Sequence, residues 1–108
     1  VTHGISEGIA LRYRIRYMDE AALDLEALPK RAQAIIVAGV HSHLATDPVQ
    51  ETRNRKSLRP SDLSAWELRL GDYRVFYDVL PEEATVIVKA VGWKVHNRLL
   101  IRGREFRP

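Results

Sequence analysis

Arg69 and Arg74 flank a Gly71-Asp72 dipeptide in a stretch where apolar and polar residues alternate. Alternation from Trp66 to Leu70 is the pattern of a strand with one buried face. Glycine at the first central position suits a two-residue type II′ turn. The resulting register pairs Leu70 with Tyr73, Arg69 with Arg74, Leu68 with Val75, Glu67 with Phe76 and Trp66 with Tyr77. Two arginines directly opposite each other repel, at a cost of up to about 1 kcal/mol. Either Glu67 and Asp78, lying diagonally, neutralise them in solvent, or the two guanidiniums grip an anion. Phosphate is the usual partner of the planar arginine fork. The residues alone leave both readings open.

A second basic cluster precedes the hairpin. Arg53, Arg55, Lys56 and Arg59 fall close together, with Pro60, Ser61 and Asp62 behind them. The segment reads as a basic loop, either a solvated connector or one that tracks phosphates. Neither nucleotide-cradling pattern, GxxxxGK[ST] or GxGxxG, occurs. His41 and His43 lie two apart on a helical stretch, which points them about 200° apart and rules out a metal pair. The expectation is a site with no metal and no cofactor.

The surrounding elements must hold these cations in place. One hairpin face carries Trp66, Leu68, Leu70, Tyr73, Val75 and Tyr77, and reads as a core face. Val1 to Gly8 reads as a flexible arm. From Ile9 to Met18, Leu11, Tyr13, Ile15 and Tyr17 alternate with Arg12, Arg14 and Arg16, predicting a strand with three arginines outward. Asp19 is placed to cap a helix over 19–28. Pro29 separates it from a second helix over 30–45 with a stripe of Ala32, Ile35, Ile36, Val40 and Leu44. Thr85 to Val91 is a β-branched run that Gly92 ends. Leu99 to Phe106 reads as a short final strand, because Gly103 breaks any helix. The order is β-α-α-β-β-β. It predicts a single α+β domain over 1–108, a small antiparallel-rich sheet with a two-helix hairpin packed on one face and the first strand placed inside the sheet.

The 108 residues carry a formal charge of +3, unevenly spread: residues 1–50 hold 5 Lys+Arg against 6 Asp+Glu, and residues 51–108 hold 12 against 8. The hairpin half is the basic half, which points to an acidic or nucleic-acid partner on that side. The absence of cysteine excludes disulfides and thiolate metal sites and suits a reducing, cytoplasmic compartment. No apolar run approaches the roughly 20 residues of a membrane span, and no signal peptide is visible. The expectation is therefore no membrane partner.

The stretch Trp-Glu-Leu-Arg-Leu-Gly-Asp-Tyr-Arg-Val-Phe-Tyr-Asp-Val at 66–79, the following Val-Ile-Val-Lys-Ala-Val-Gly and Lys94 just beyond resemble the RelE/ParE superfamily of toxins from type II toxin–antitoxin pairs. The likeness extends to the upstream strand, the helical hairpin with Leu28-Pro29 and the Lys56-Ser57-Leu58 loop, over roughly residues 11–106. The resemblance implies a toxin with a cognate antitoxin. In the RelE-like branch it implies an mRNA endonuclease that acts at the ribosome, attacks through the 2′-hydroxyl and so inhibits translation. Carried over position by position, Arg74 matches the family's phosphate-binding arginine, Arg69 a basic position on the preceding strand, and Lys94 a position that is often arginine. Arg53, Arg55, Lys56 and Arg59 would bind RNA. Glu67 stands where the RelE prototype has a lysine, and Leu100 where it has a C-terminal tyrosine. The general base is thus not identified: Glu67 lies on the correct face but its flanking arginines would weaken it as a base, and Glu51 and His96 are further candidates. Two alternatives remain, a ParE-like toxin that binds DNA gyrase and a non-catalytic member that binds only its antitoxin.

Overall fold

Tyr13, Ile15 and Tyr17 are half-buried while Arg12, Arg14 and Arg16 are exposed, and this alternation builds the first strand, β1 (Arg14–Tyr17). The computed structural model describes residues 12–58 and 63–106, so the N-terminal arm and Arg59 lie outside the described residues. Two helices follow β1: α1 (Asp19–Glu26) and α2 (Lys30–Leu44). Asp19 does not cap α1 as expected. Met18 holds the cap position, without a side-chain bond, and Asp19 and Glu20 fall in the first turn. There they complement the helix dipole instead. Pro29 sits immediately before α2, and Gln33 Nε2 donates to the Leu28 carbonyl at 2.8 Å, fastening the corner between the helices.

The remaining chain is almost entirely strand: β2 (Arg55–Ser57), β3 (Trp66–Leu70), β4 (Tyr73–Leu80), a 3-10 turn (Pro81–Glu83), β5 (Thr85–Val95), β6 (Arg98–Ile101) and β7 (Arg104–Glu105). The sheet runs β2-β3-β4-β5-β6-β7, and β1 lies parallel to β5. β4 pairs along almost all of one edge of β5, while the other edge is shared, β1 beside Thr85 to Val88 and β6 beside Trp93 to Val95. Four expectations are corrected here. The first strand is not enclosed by others, since among the described residues it pairs only with β5. Gly92 does not end β5, which continues to Val95. The tail is not one strand but a hairpin turning at Arg102-Gly103, and part of the basic loop is the strand β2.

The β3–β4 register is the one read from the sequence, Arg69 opposite Arg74 and Trp66 opposite Tyr77. Gly71 has φ 60° and Asp72 is not in the left-handed region, which is the type II′ pattern. The helices cover one sheet face: Ala21, Ile36, Val40 and Leu44 pack on Leu68, Val75, Tyr77, Val86, Val88 and Val91. The approach is tight at Gly39 of α2, where a Cβ would stand 2.6 Å from Leu70 Cδ1. Trp66 stacks on Tyr77 with ring centres 6.2 Å apart. The Tyr77 hydroxyl donates to the Pro48 carbonyl at 2.6 Å, a partner it requires because the ring is fully buried. Burial pushes its phenol well above the ordinary range.

Candidate functional site

The face away from the helices carries Glu67, Arg69, Arg74 and Phe76, because in a strand every second residue shares a side. β4 pairs Arg74 with Gly92 of β5, and the same alternation along β5 brings Lys94 to this face. The Lys94 N–H donates to the Asp72 carbonyl at 2.7 Å, so the end of β5 is hooked to the turn that joins Arg69 to Arg74. The result is a cleft of about 320 Å³ lined by Glu67, Arg69, Arg74, Lys94, Asn97, Arg98, Leu99, Glu105 and Phe106.

The cations in it are held differently. Arg69 Nε pairs with Glu67 Oε1 at 2.8 Å, the glutamate side chain being 12 % exposed and the arginine 48 %. Asn54 braces this arginine from β2's approach, its carbonyl accepting the Arg69 N–H at 2.8 Å and its amide donating to the Arg69 carbonyl at 2.9 Å. One terminal nitrogen of Arg74 donates to the carbonyls of Gly71 at 2.6 Å and Tyr73 at 2.9 Å. Its guanidinium is thereby fixed over the turn, with no carboxylate partner among the described residues. Arg98 Nε approaches Glu105 Oε1 at 4.0 Å. Four cations and two carboxylates therefore face one space, a balance that favours an anion.

The basic loop divides. Arg55 turns away from the cleft: its guanidinium donates to the carbonyls of Gln50 at 2.9 Å and His43 at 3.0 Å, closing the end of α2 onto the loop. Lys56 pairs with Glu67 across β2 and β3 and shares its face without lining the cleft, and Arg53 is exposed. Glu51 accepts the Ser57 N–H at 3.2 Å, and His96 is exposed in the β5–β6 turn; neither lines the cleft. Leu100 lies on a different pocket, beside Pro29 and Trp93, so the tyrosine position of the prototype does not map onto this cleft. The cleft gains Asn97, Arg98, Glu105 and Phe106, none of which the sequence singled out as site residues. The readable signal was His96-Asn97 between two strand-like runs. Both residues have positive φ (49° and 68°), as a type I′ hairpin requires, and that turn folds β6 and β7 back to the site.

The hairpin that brings those residues is fastened to α1. Asp24 is 3 % exposed; its Oδ2 accepts the Val91 N–H at 3.0 Å, in the part of β5's edge between β1 and β6. Its Oδ1 lies 2.7 Å from Arg102 Nε, without the alignment of a hydrogen bond. Burial raises the Asp24 carboxyl above the ordinary range, while the Val91 amide and Arg102 pull it back and Glu20 adds to the rise.

Residues 15–93 match the family model described as ParE toxin of the type II toxin–antitoxin system parDE. The chain is 32% identical over 79 residues to Toxin RelG of Mycobacterium tuberculosis, covering 73% of this chain and 87% of that protein. The fold is similar to a chain in the crystal structure of the RelBE2 toxin–antitoxin complex of Mycobacterium tuberculosis. There the TM-score is 0.64, with 28% identity over 87% of this chain and 95% of the other. It is also similar to a chain in the archaeal RelE–RelB complex of Pyrococcus horikoshii OT3, with TM-score 0.59, 25% identity and coverage of 86% and 98%. An α+β sheet of this topology with a charged face opposite two helices, matched by sequence across most of its length, defines a class of small toxin. The chain belongs to the RelE/ParE family of type II toxin–antitoxin toxins.

Proposed function

We propose that the protein is a toxin of the RelE type, an endoribonuclease that cleaves mRNA at the ribosome. The observation that supports this most is the convergence of Arg69, Arg74 and Lys94 with Glu67 in one cleft. Like charges gathered on one face cost stability unless an anion compensates them. In the proposed reaction a ribose 2′-oxygen attacks the adjacent phosphorus, and the P–O bond to the next nucleotide's 5′-oxygen breaks, leaving a 2′,3′-cyclic phosphate and a 5′-hydroxyl end that takes its proton from solvent. Glu67 accepts the 2′-hydroxyl proton: its pairing with Arg69 weakens it as a base but orients it, and the other candidates, Glu51 and His96, do not line the cleft. Arg74 and Lys94 stabilise the charge that builds on the non-bridging oxygens. Arg53 and Lys56 would guide the strand toward the cleft, a role for which Arg55 is already committed elsewhere. The second partner is a cognate antitoxin, with an acidic and apolar segment that shields the basic face and the exposed Leu23, Ile35 and Val37 of the helices.

A second reading has its own support, since the matching family model is the ParE one. In that reading the protein binds DNA gyrase. Primer extension on mRNA in a translating extract, run beside a gyrase supercoiling assay, separates the two. Codon-positioned cuts with unaffected supercoiling are expected. Inhibited supercoiling with intact mRNA would replace the first reading by the second.

A further inference from the structure

We propose that Arg12, Arg14 and Arg16 form a second phosphate-contacting surface, a ladder that holds the single-stranded RNA running out of the cleft. The proposal rests on the RNA-cleaving reading of that cleft. β1 is parallel to β5 with Arg14 beside Thr85 and Arg16 beside Ile87, while Ile15 and Tyr17 pack into the core. The irregularity at Phe76/Tyr77 shifts the β4–β5 register, so Val86 and Val88 before it and Val91 after it all face the helices. Ile87 therefore shares its side of β5 with Ala90, Gly92 and Lys94. Arg14 and Arg16 thus lie on the same sheet face as the cleft, and Arg12 precedes them at the next alternate position of the chain. From Ile87 to Lys94 a strand advances roughly 23 Å, the length of about seven stacked nucleotides.

All three arginines are exposed, and none has an ion-pair or hydrogen-bond partner for its side chain among the described residues. Asp78, which the register sets across Ile87 from Arg16, is already occupied by Lys89 at 3.3 Å and by the Ala65 N–H at 2.6 Å. In the cleft, by contrast, Arg69 and Arg98 each have a glutamate. Arg14 and Arg16 hold alternate positions of β1, about 6.6 Å apart along the strand, a spacing at which cations repel when nothing anionic lies over them. The partner's chemistry follows from the alternation itself. Every apolar residue of the segment points into the core, so a protein laid on this face would bury charge and little else. A polyphosphate gains by releasing counterions. Charge on an edge strand also discourages strand pairing, but a lysine or a carboxylate would serve that purpose equally well.

The test is fluorescence anisotropy with labelled, unstructured RNA of about 5 and about 15 nucleotides over a range of salt. The proteins compared are the wild type, the R12Q/R14Q/R16Q variant and Arg74→Ala, each first checked for an unchanged melting temperature. The wild type should bind the longer RNA more tightly and with a steeper salt dependence. The triple variant should bind the short RNA as the wild type does. It should lose the advantage of length, and its slope of log K against log salt on the long RNA should be shallower by about 2, at roughly 0.7 per phosphate contact. Arg74→Ala should weaken both lengths alike. A triple variant that keeps the wild-type length advantage and slope overturns the ladder while leaving the cleft reading intact. Failure of the wild type to bind either RNA overturns the ladder, and the cleft reading is then decided by cleavage in the translating extract. If poly-glutamate of matching charge competes as well as the long RNA, the surface is one for an acidic peptide and the RNA assignment is wrong. Length-dependent binding without mRNA cleavage would defeat the catalytic reading alone.

Discussion

Tyr77 shows how one side chain can look entirely apolar in a sequence and still carry a polar duty. The alternation placed it on the core face of the hairpin, and it is fully buried there. What the alternation could not reveal is that its hydroxyl reaches the Pro48 carbonyl, 29 residues away. The Tyr77→Phe variant keeps the ring stacked on Trp66 but leaves that buried carbonyl without its donor. The expected cost is about 1–3 kcal/mol. Thermal unfolding should show it as a Tm lower by several degrees, with activity per folded molecule unchanged. An unchanged Tm would mean that another donor or solvent replaces the hydroxyl. Arg55 makes the opposite point. A cation in a basic loop was read as an RNA contact, yet it caps two carbonyls of its own chain. Charge content does not distinguish a guanidinium that faces solvent from one spent on the backbone.

Strands with strict alternation were legible, and the β3–β4 register follows from the Gly71-Asp72 turn alone. The C-terminal hairpin was less so, because Arg102 takes a left-handed conformation (φ 52°) that arginine rarely adopts, and nothing local announces it. A long-range tie accompanies it, the pairing of Arg102 with Asp24 of α1. Asp24's carboxyl is raised by burial, against the pull of Val91 and Arg102 and with a small push from Glu20. The folded state thus holds this proton more tightly than the unfolded chain. That contribution favours folding at acid pH and is lost as pH rises from the ordinary aspartate range through the raised value. Asp24→Asn keeps an acceptor for the Val91 N–H and removes the titration. The stability of the wild type relative to Asp24→Asn should therefore fall as pH rises from about 4 toward neutrality. Melting curves of both proteins across that range provide the check. A gap that widens in favour of the wild type would mean that the Arg102 pairing outweighs the burial of the charge.

Across the molecule, the two faces of the sheet differ in what covers them. The helices cover one side of the sheet, and Gly39 lets α2 approach so closely that Gly39→Ala should force Leu70 to shift. A drop in Tm for that variant is expected, and full stability would show that Leu70 repacks freely. The other side keeps its cations, and here reading the sequence succeeded in part. Arg69, Arg74, Lys94 and Glu67 do share one cleft. The residues that close it, Asn97, Arg98, Glu105 and Phe106, arrive through two successive hairpins, of which only the first, at His96-Asn97, has a local turn signal.

The central claim is that this cleft binds the phosphate being cleaved, and Arg74 tests it most directly. Its guanidinium is held by backbone carbonyls rather than by a carboxylate and faces three other cations, so its removal should relieve repulsion as well as break two hydrogen bonds at the turn. The measurement is mRNA cleavage in a translating extract for Arg74→Ala beside the wild type, with the melting temperature of each. Cleavage should fall by roughly 10²–10³, as on removal of other charge-stabilising donors, while the Tm stays level or rises slightly. Full cleavage by Arg74→Ala at an unchanged Tm would contradict the account, and the chemistry would have to be sought elsewhere on the protein.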